Sequence, residues 1–415
     1  VQGSSHNCTF TDLIVDGASA TGFNNSAWGI MVGSAQNSGS EDLSNFMIAN
    51  NEIFEFYGGV HFGGGGNAAG SRALNNLVQN NNMYDIYYYP IYARFQNGME
   101  IYDNVVEATY RFGGSYYAQY NRNSRIERNV FEGGRWFYII YENSPGFNQW
   151  TPGDTSVITN NIIFQDNSFT YGLYMLYTGV VEYYHNTVSA VNGYYGSFIA
   201  YSFNSHVKNN IFHGDNLRFD YMRWYRNTNL EHDYNQWDFQ NPQSGATYFN
   251  WEFTDYADFT SWRAVVTPNE DNSVEQAADF VSATNFRLSA SGTPVIGTDV
   301  GVLLDVDGDD RCVLAPTVGA DESPIPTPKP TPSFVADDTL CAGSPTVLFN
   351  SASINDAARH MWYINDSMVT DSIHLVWTFG SQDIGDQEIK LVTENCGGVD
   401  SFIDTVNVAF PSGTP

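Results

Sequence analysis

One phrase constrains this chain more than any other feature: an apolar position, up to three Asn, then β-forming residues. It reads IANNEIF from residue 48, VQNNNMY from 78, IYDNVVE from 101, IERNVFE from 126, ITNNIIF from 158, YYHNTVS from 183 and VKNNIFH from 207. The last Asn of each phrase gives the series Asn51, Asn82, Asn104, Asn129, Asn161, Asn186 and Asn210, and DYNQWDF adds Asn235. The steps are 31, 22, 25, 32, 25, 24 and 25 residues, and the two long ones contain the insertions GGGGNAAGSRAL (63–74) and NSPGFNQWTPGDTS (143–156). Asn is depleted in strands, so its return beside β-formers marks a repeated corner. It tolerates the left-handed backbone of a sharp turn, and its amide can bond to the same residue one coil away in a ladder. A strand-rich period of this length without helical patterning is that of a solenoid.

A second regularity lies inside each coil. Soon after the Asn comes a turn and an aromatic-rich strand: GGVHF (58–62), PIYAR (90–94), GSYYAQY (114–120), WFYIIY (136–141), GLYMLY (172–177), GSFIAY (196–201) and DYMRWY (220–225). A third short strand precedes the next Asn, as in SRIERN (124–129). Three short strands per coil is the plan of an all-β fold, a right-handed parallel β-helix. Side chains alternate along a strand, which predicts Val60, Phe62, Ile91, Ala93, Ala118, Leu173, Met175 and Met222 inside. The outward row is then His61, Tyr92, Arg94, Tyr117, Gln119, Tyr138, Tyr174, Tyr201, Tyr221, Arg223 and Tyr225.

The solenoid ends in NFRLSASGTPVIGTDVGVLLDVDGDDRCVLAPTVGADE (285–322). With the Asn phrases, its D-x-D-G-x-x-R followed by G-A-D-E resembles the closing segment of secreted bacterial right-handed parallel β-helix repeat proteins. The resemblance covers residues 1–322 and implies the β-helix, with an irregular capping region over about 236–322; within it the Trp- and Phe-rich segment after residue 236 reads as containing a short helix near 255–264. It implies no single activity, because this fold hosts lyases, hydrolases, adhesins and passive spacers. SPIPTPKPTPS (323–333) predicts a semi-rigid spacer. Beyond it, 334–410 alternates as a small β-sandwich. Its Cys341, Trp362 and Cys396 order and QEIKLVTENCGG resemble Ig-like modules of the polycystic-kidney-disease repeat type. That resemblance implies a Cys341–Cys396 disulfide, with two buried thiols as the alternative.

The chain opens on VQGSSHNCTF without Met, and its last residues, 411–415, read as the start of a further linker. The expectation is a processed piece of a longer extracellular chain, secreted or attached to a cell surface. A net charge of −29 with 17 Lys plus Arg disfavours nucleic acid and anionic membranes as partners. No apolar run approaches a membrane span.

Chemistry is sparse. A β-helix lyase needs a base and a cation beside a uronate, and four coils separate Arg94 from Arg223. A glycosidase needs paired carboxylates, and the outward row offers none on adjacent coils. Asp305, Asp307 and Asp309 alternate around a Gly in DVDGDDR, spacing that suits a calcium loop, while the resemblance uses the segment as a closing turn. The reading therefore favours a structural or adhesive segment over an enzyme. Tyr92, Arg94, Tyr117, Tyr138, Tyr174, Tyr201, Tyr221 and Arg223 form its contact surface for other copies of itself or for a cell-surface protein or glycan. A polysaccharide lyase or glycoside hydrolase on the same face, and a non-catalytic glycan-binding module, are the alternatives.

Overall fold

The structure, a computed structural model, describes residues 7–17, 27–33, 43–63, 72–110, 112–143, 153–166, 170–323, 328–335, 339–343, 345–349 and 359–409. It divides into two units, Val1–Arg311 with Pro316–Ser323, and Cys312–Ala315 with Pro324–Pro415.

In the first unit, strands enter three sheets in rotation. The first sheet runs from Thr9–Thr11 to Glu231–Asp233, the second from Ile14–Asp16 to Val274–Glu275, and the third from Trp28–Gly33 to Thr254–Tyr256. Within these three sheets pairing is parallel throughout, apart from the final pair of the third sheet, Thr247–Trp251 with Thr254–Tyr256. Each coil thus contributes one strand to each sheet, an arrangement compatible with a parallel β-helix.

Register stacks the interior into columns. Ile48, Val78, Ile101, Ile126, Ile158, Tyr183 and Val207 succeed one another in the first sheet. In the second the column is Ile53, Met83, Val106, Phe131, Ile163, Val188, Phe212 and Trp237. All belong to one buried cluster, as do the eight residues assigned inward from the alternation. Near the last coils the core turns aromatic. Trp262 of the helix Phe259–Val266 stacks on Phe249 at 4.6 Å. Asp258 caps this helix by accepting the Ser261 N–H, four residues later than the predicted start, and Phe259, Trp262 and Val266 face the core.

The second unit is all-β. A five-stranded sheet orders Thr339–Cys341, Gly398–Ala409, Gly385–Asn395, Arg359–Ile364 and Ser367–Thr370, and a two-stranded sheet pairs Pro345–Phe349 with His374–Thr378. Trp362, Ile389, Leu391, Val406, Val408, Leu375 and Phe334 fill its core. Residues 324–327 lie outside the described residues, but the Pro328 carbonyl accepts from Asn395 and Lys329 pairs with Asp400, so 328–333 is fastened to the second unit. Residues 410–415 also lie outside the described residues.

The disulfide differs from expectation. Cys396 bonds Cys312, with Cα atoms 5.3 Å apart, and not Cys341. Cys396 sits in the turn joining Asn395 to Gly398, whereas Cys341 is in register with Ala409 at the other end of that hairpin. Twelve residues of strand separate the two ends by about 40 Å, far beyond the reach of a disulfide.

Candidate functional site

At the corner between the first and second sheets stand Asn51, Asn81, Asn104, Asn129, Asn161, Asn186, Asn210 and Asn235. Each Nδ2 donates to the Oδ1 of the next, at 2.9 to 3.2 Å. That Oδ1 also accepts the previous residue's backbone N–H, as Asn129 Oδ1 accepts from Asn104 at 3.0 Å, and each Nδ2 reaches a carbonyl of the coil behind. The amides are buried and bonded on both ends, which only a side chain with donor and acceptor on one atom pair permits. Six of the seven predicted ladder residues are in place. Asn82 is not: it is exposed and opens the next strand, and the middle Asn of the triplet, Asn81, holds the rung. The left-handed residue is also not the ladder Asn but the one before it, including Asp103, Arg128, His185 and Tyr234 with φ of 52–56°. Asn is required for the ladder, then, and not for the turn.

The aromatic strand forms its own columns on the outer face of the third sheet. His61, Tyr92, Tyr117, Tyr138, Tyr174 and Phe198 stack with centroids 4.7 to 4.9 Å apart and ring planes within 26° of parallel. This is the coil-to-coil spacing itself. A second column, Phe95, Tyr120, Tyr141, Tyr177 and Tyr201, stacks at 4.6 to 5.1 Å, and all five residues have φ of 54–59°. Tyr201 therefore belongs to a separate array at the strand end. Burial raises the pKa of the Tyr92, Tyr117 and Tyr138 hydroxyls, and pushes that of Tyr174 up to about 12.

The arginines brace these columns. Arg94 lies over the Phe95 and Tyr120 rings at 5.2 and 5.7 Å and donates to the Tyr92 hydroxyl at 3.4 Å. Arg223 continues the first column after Phe198 and donates to Tyr195 and Asp220, both at 3.3 Å. Tyr221 leaves the surface altogether. Its ring is buried with Leu217 and Ala190, its hydroxyl donates to the Gln240 carbonyl, and Gly214 makes the room, since a Cβ there would lie 2.6 Å from the ring.

The geometry bears directly on what the face can bind. Stacking on a sugar requires an open ring face, and in the first column Tyr92, Tyr117, Tyr138 and Tyr174 each have both faces against rings of neighbouring coils. Solvent meets ring edges and hydroxyls.

The acidic segment is a closing turn. Asp305 Oδ1 accepts the Asp307 and Asp309 N–H groups, both at 2.9 Å, and its Oδ2 accepts the Glu322 N–H at 3.0 Å. Asp307 pairs with Arg287 at 2.6 and 2.7 Å. Among the described residues no group of three His, Cys, Asp or Glu side chains converges, so the geometry lends the calcium-loop reading of Asp305, Asp307 and Asp309 no support. Arg311 of the same motif is buried and donates to the Thr317, Gly319 and Ala320 carbonyls, Glu322 and Asn160. The motif binds the chain to itself.

One constellation was not legible from sequence order. Ser189, His213 and Asp238 occupy one column on three successive coils, and Asp238 bonds His213 Nδ1 at 2.9 Å. Ser189 is 1% exposed and its Oγ has no hydrogen-bond partner among the described residues, while Phe280 and Phe286 pack on the His213 ring. The hydrogen bond that activates a serine nucleophile is missing and substrate has no approach. Among the described residues no helix is long and apolar enough to cross a membrane. Comparison with protein-family models and with curated proteins returned no match.

Proposed function

We propose that this chain is a structural and adhesive segment of a large extracellular protein. In this reading the first unit is a right-handed parallel β-helix of the secreted bacterial kind that its closing motif resembles. The second unit is an Ig-like module of the polycystic-kidney-disease repeat type. The observation that carries the reading is the consumption of the repeated Asn and Tyr side chains by their own counterparts on adjacent coils. Residues spent on internal ladders stiffen a rod and leave the inner rings, Tyr92, Tyr117, Tyr138 and Tyr174, no open face for a sugar. What remains on that face is a line of phenolic edges flanked by Arg94 and Arg223, which suits a second protein surface or another copy of the chain.

The test separates contact from folding. Replacing Tyr92, Tyr117, Tyr138 and Tyr174 together by Phe keeps every ring and removes the hydroxyl edge. The expected result is an unchanged melting temperature, with loss of self-association by light scattering or of retention on cell-surface material. Unchanged association and retention would contradict the contact role. Turnover of any acidic or neutral polysaccharide, seen as unsaturated products or new reducing ends, would replace the scaffold reading with an enzymatic one.

A further inference from the structure

The outer face of the first sheet carries side chains that no ladder uses. Beside its strands Arg125–Glu127, Ser156–Thr159 and Val181–Tyr184 runs the segment 300–304, and an open groove of about 500 Å³ lies between them. Such a volume is in the range of ligand sites. The far wall is fixed, because Asn160 Nδ2 donates to the Leu304 carbonyl at 2.6 Å while Asn160 Oδ1 accepts from buried Arg311 at 2.9 Å.

The floor is polar and its cations are matched. Arg125 forks onto Glu127 Oε1 at 2.7 and 3.1 Å, and Arg128 onto Asp103 at 2.7 and 3.1 Å. The Arg125 side chain is 53% exposed, so it retains donors for a ligand. The Glu182 side chain lines the groove without a hydrogen-bond or ion-pair partner among the described residues. A free acceptor, a partly free fork of donors and the hydroxyl of Thr155 suit a ligand that donates and accepts at many points without net charge. A polyanion meets no unmatched cation here and approaches a chain of net charge −29, which repels it.

We propose that this groove binds a short uncharged glycan. The site is distinct from the tyrosine face, and its occupancy does not depend on the scaffold reading. The test is calorimetric titration of the whole chain with neutral oligosaccharides of β-1,4-linked glucose, mannose and xylose, with oligogalacturonate as the anionic counterpart and an extended neutral peptide as the non-sugar one. At least one neutral sugar should bind with Kd between about 10 μM and 1 mM. Affinity should fall about tenfold in Glu182→Gln and in Arg125→Ala, the loss expected for one charge-assisted hydrogen bond. Thr155→Trp, which fills the groove, should abolish binding, and the fourfold Tyr→Phe face variant should leave it unchanged. Arg125 is exposed enough that its variant stays folded, which keeps the test decisive if Thr155→Trp does not. The proposal is overturned if no neutral sugar binds up to about 10 mM, if only the galacturonate or the peptide binds, or if binding is indifferent to Glu182→Gln and Arg125→Ala.

Discussion

An aromatic side chain in a left-handed backbone costs about 1–2 kcal/mol, yet Phe95, Tyr120, Tyr141, Tyr177 and Tyr201 all adopt it. Each stacks on its counterparts, and a stacked pair returns about 0.5–1.5 kcal/mol beyond the area it buries, enough to offset the strain. The same arithmetic gives a prediction for the first column. Tyr117 is held between Tyr92 and Tyr138, so Tyr117→Ala should cost about 2–3 kcal/mol in urea unfolding. Tyr117→Phe, which loses only a hydroxyl contact to Gln119 at 3.3 Å, should stay within about 1 kcal/mol. Equal losses in the two variants would mean that the hydroxyl, not the stack, matters. The phenol pKa values carry a pH dependence as well. Because folding raises them, the stability they contribute is intact below pH 10 and is lost as pH climbs through about 12 for Tyr174. Absorbance titration should show a high-pH tyrosine step that coincides with loss of the β circular-dichroism signal.

At the scale of elements, the closing segment is the part whose chemistry was most open to misreading. Alternating Asp around Gly is legible as a cation loop, and the backbone N–H groups that occupy Asp305 are not visible in a sequence. Asp321 shows the consequence. Its Oδ2 accepts the Leu288 N–H at 2.6 Å, but burial, with Asp305 and Asp307 nearby, pushes its pKa up to about 7 from 3.8. The folded state therefore favours the protonated acid, and the stability from this group is present below pH 3.8 and lost as pH rises to about 7. Asp321→Asn keeps the acceptor and removes the titration. Melting temperatures from pH 4 to 7 should fall in the parent relative to the variant, and parallel profiles would contradict the assignment. The coils themselves were legible because a period of about 25 residues and strict alternation both leave marks in sequence. Asn82 was misplaced because NNN at 80–82 offers three candidates and only pairing across coils selects the middle one. Phe198 could have been found by aligning GSFIAY with GLYMLY, whereas the burial of Tyr221 depends on Gly214 one strand away.

For the whole molecule, disulfide connectivity is what a sequence specifies least. The resemblance to a sandwich with its own internal bridge led to Cys341, but the register of the long hairpin puts that residue at the wrong end. Peptide mapping without reduction should recover Cys312 joined to Cys396, and recovery of a Cys341–Cys396 peptide would contradict the structure. The larger claim is that the repeated Asn amides, like the stacked ring faces of the repeated Tyr, are engaged with one another. Two neighbouring asparagines test it most directly. Asn81 donates to the Ile48 and Gln79 carbonyls and Asn104, and accepts twice from Asn51, while Asn82 is exposed. Urea unfolding of Asn81→Leu should show a loss on the order of 3–5 kcal/mol, the cost of stranding several buried polar groups, against about 0.5 kcal/mol or less for Asn82→Leu. Similar small losses at both positions would show that the amide ladder does not hold the coils together.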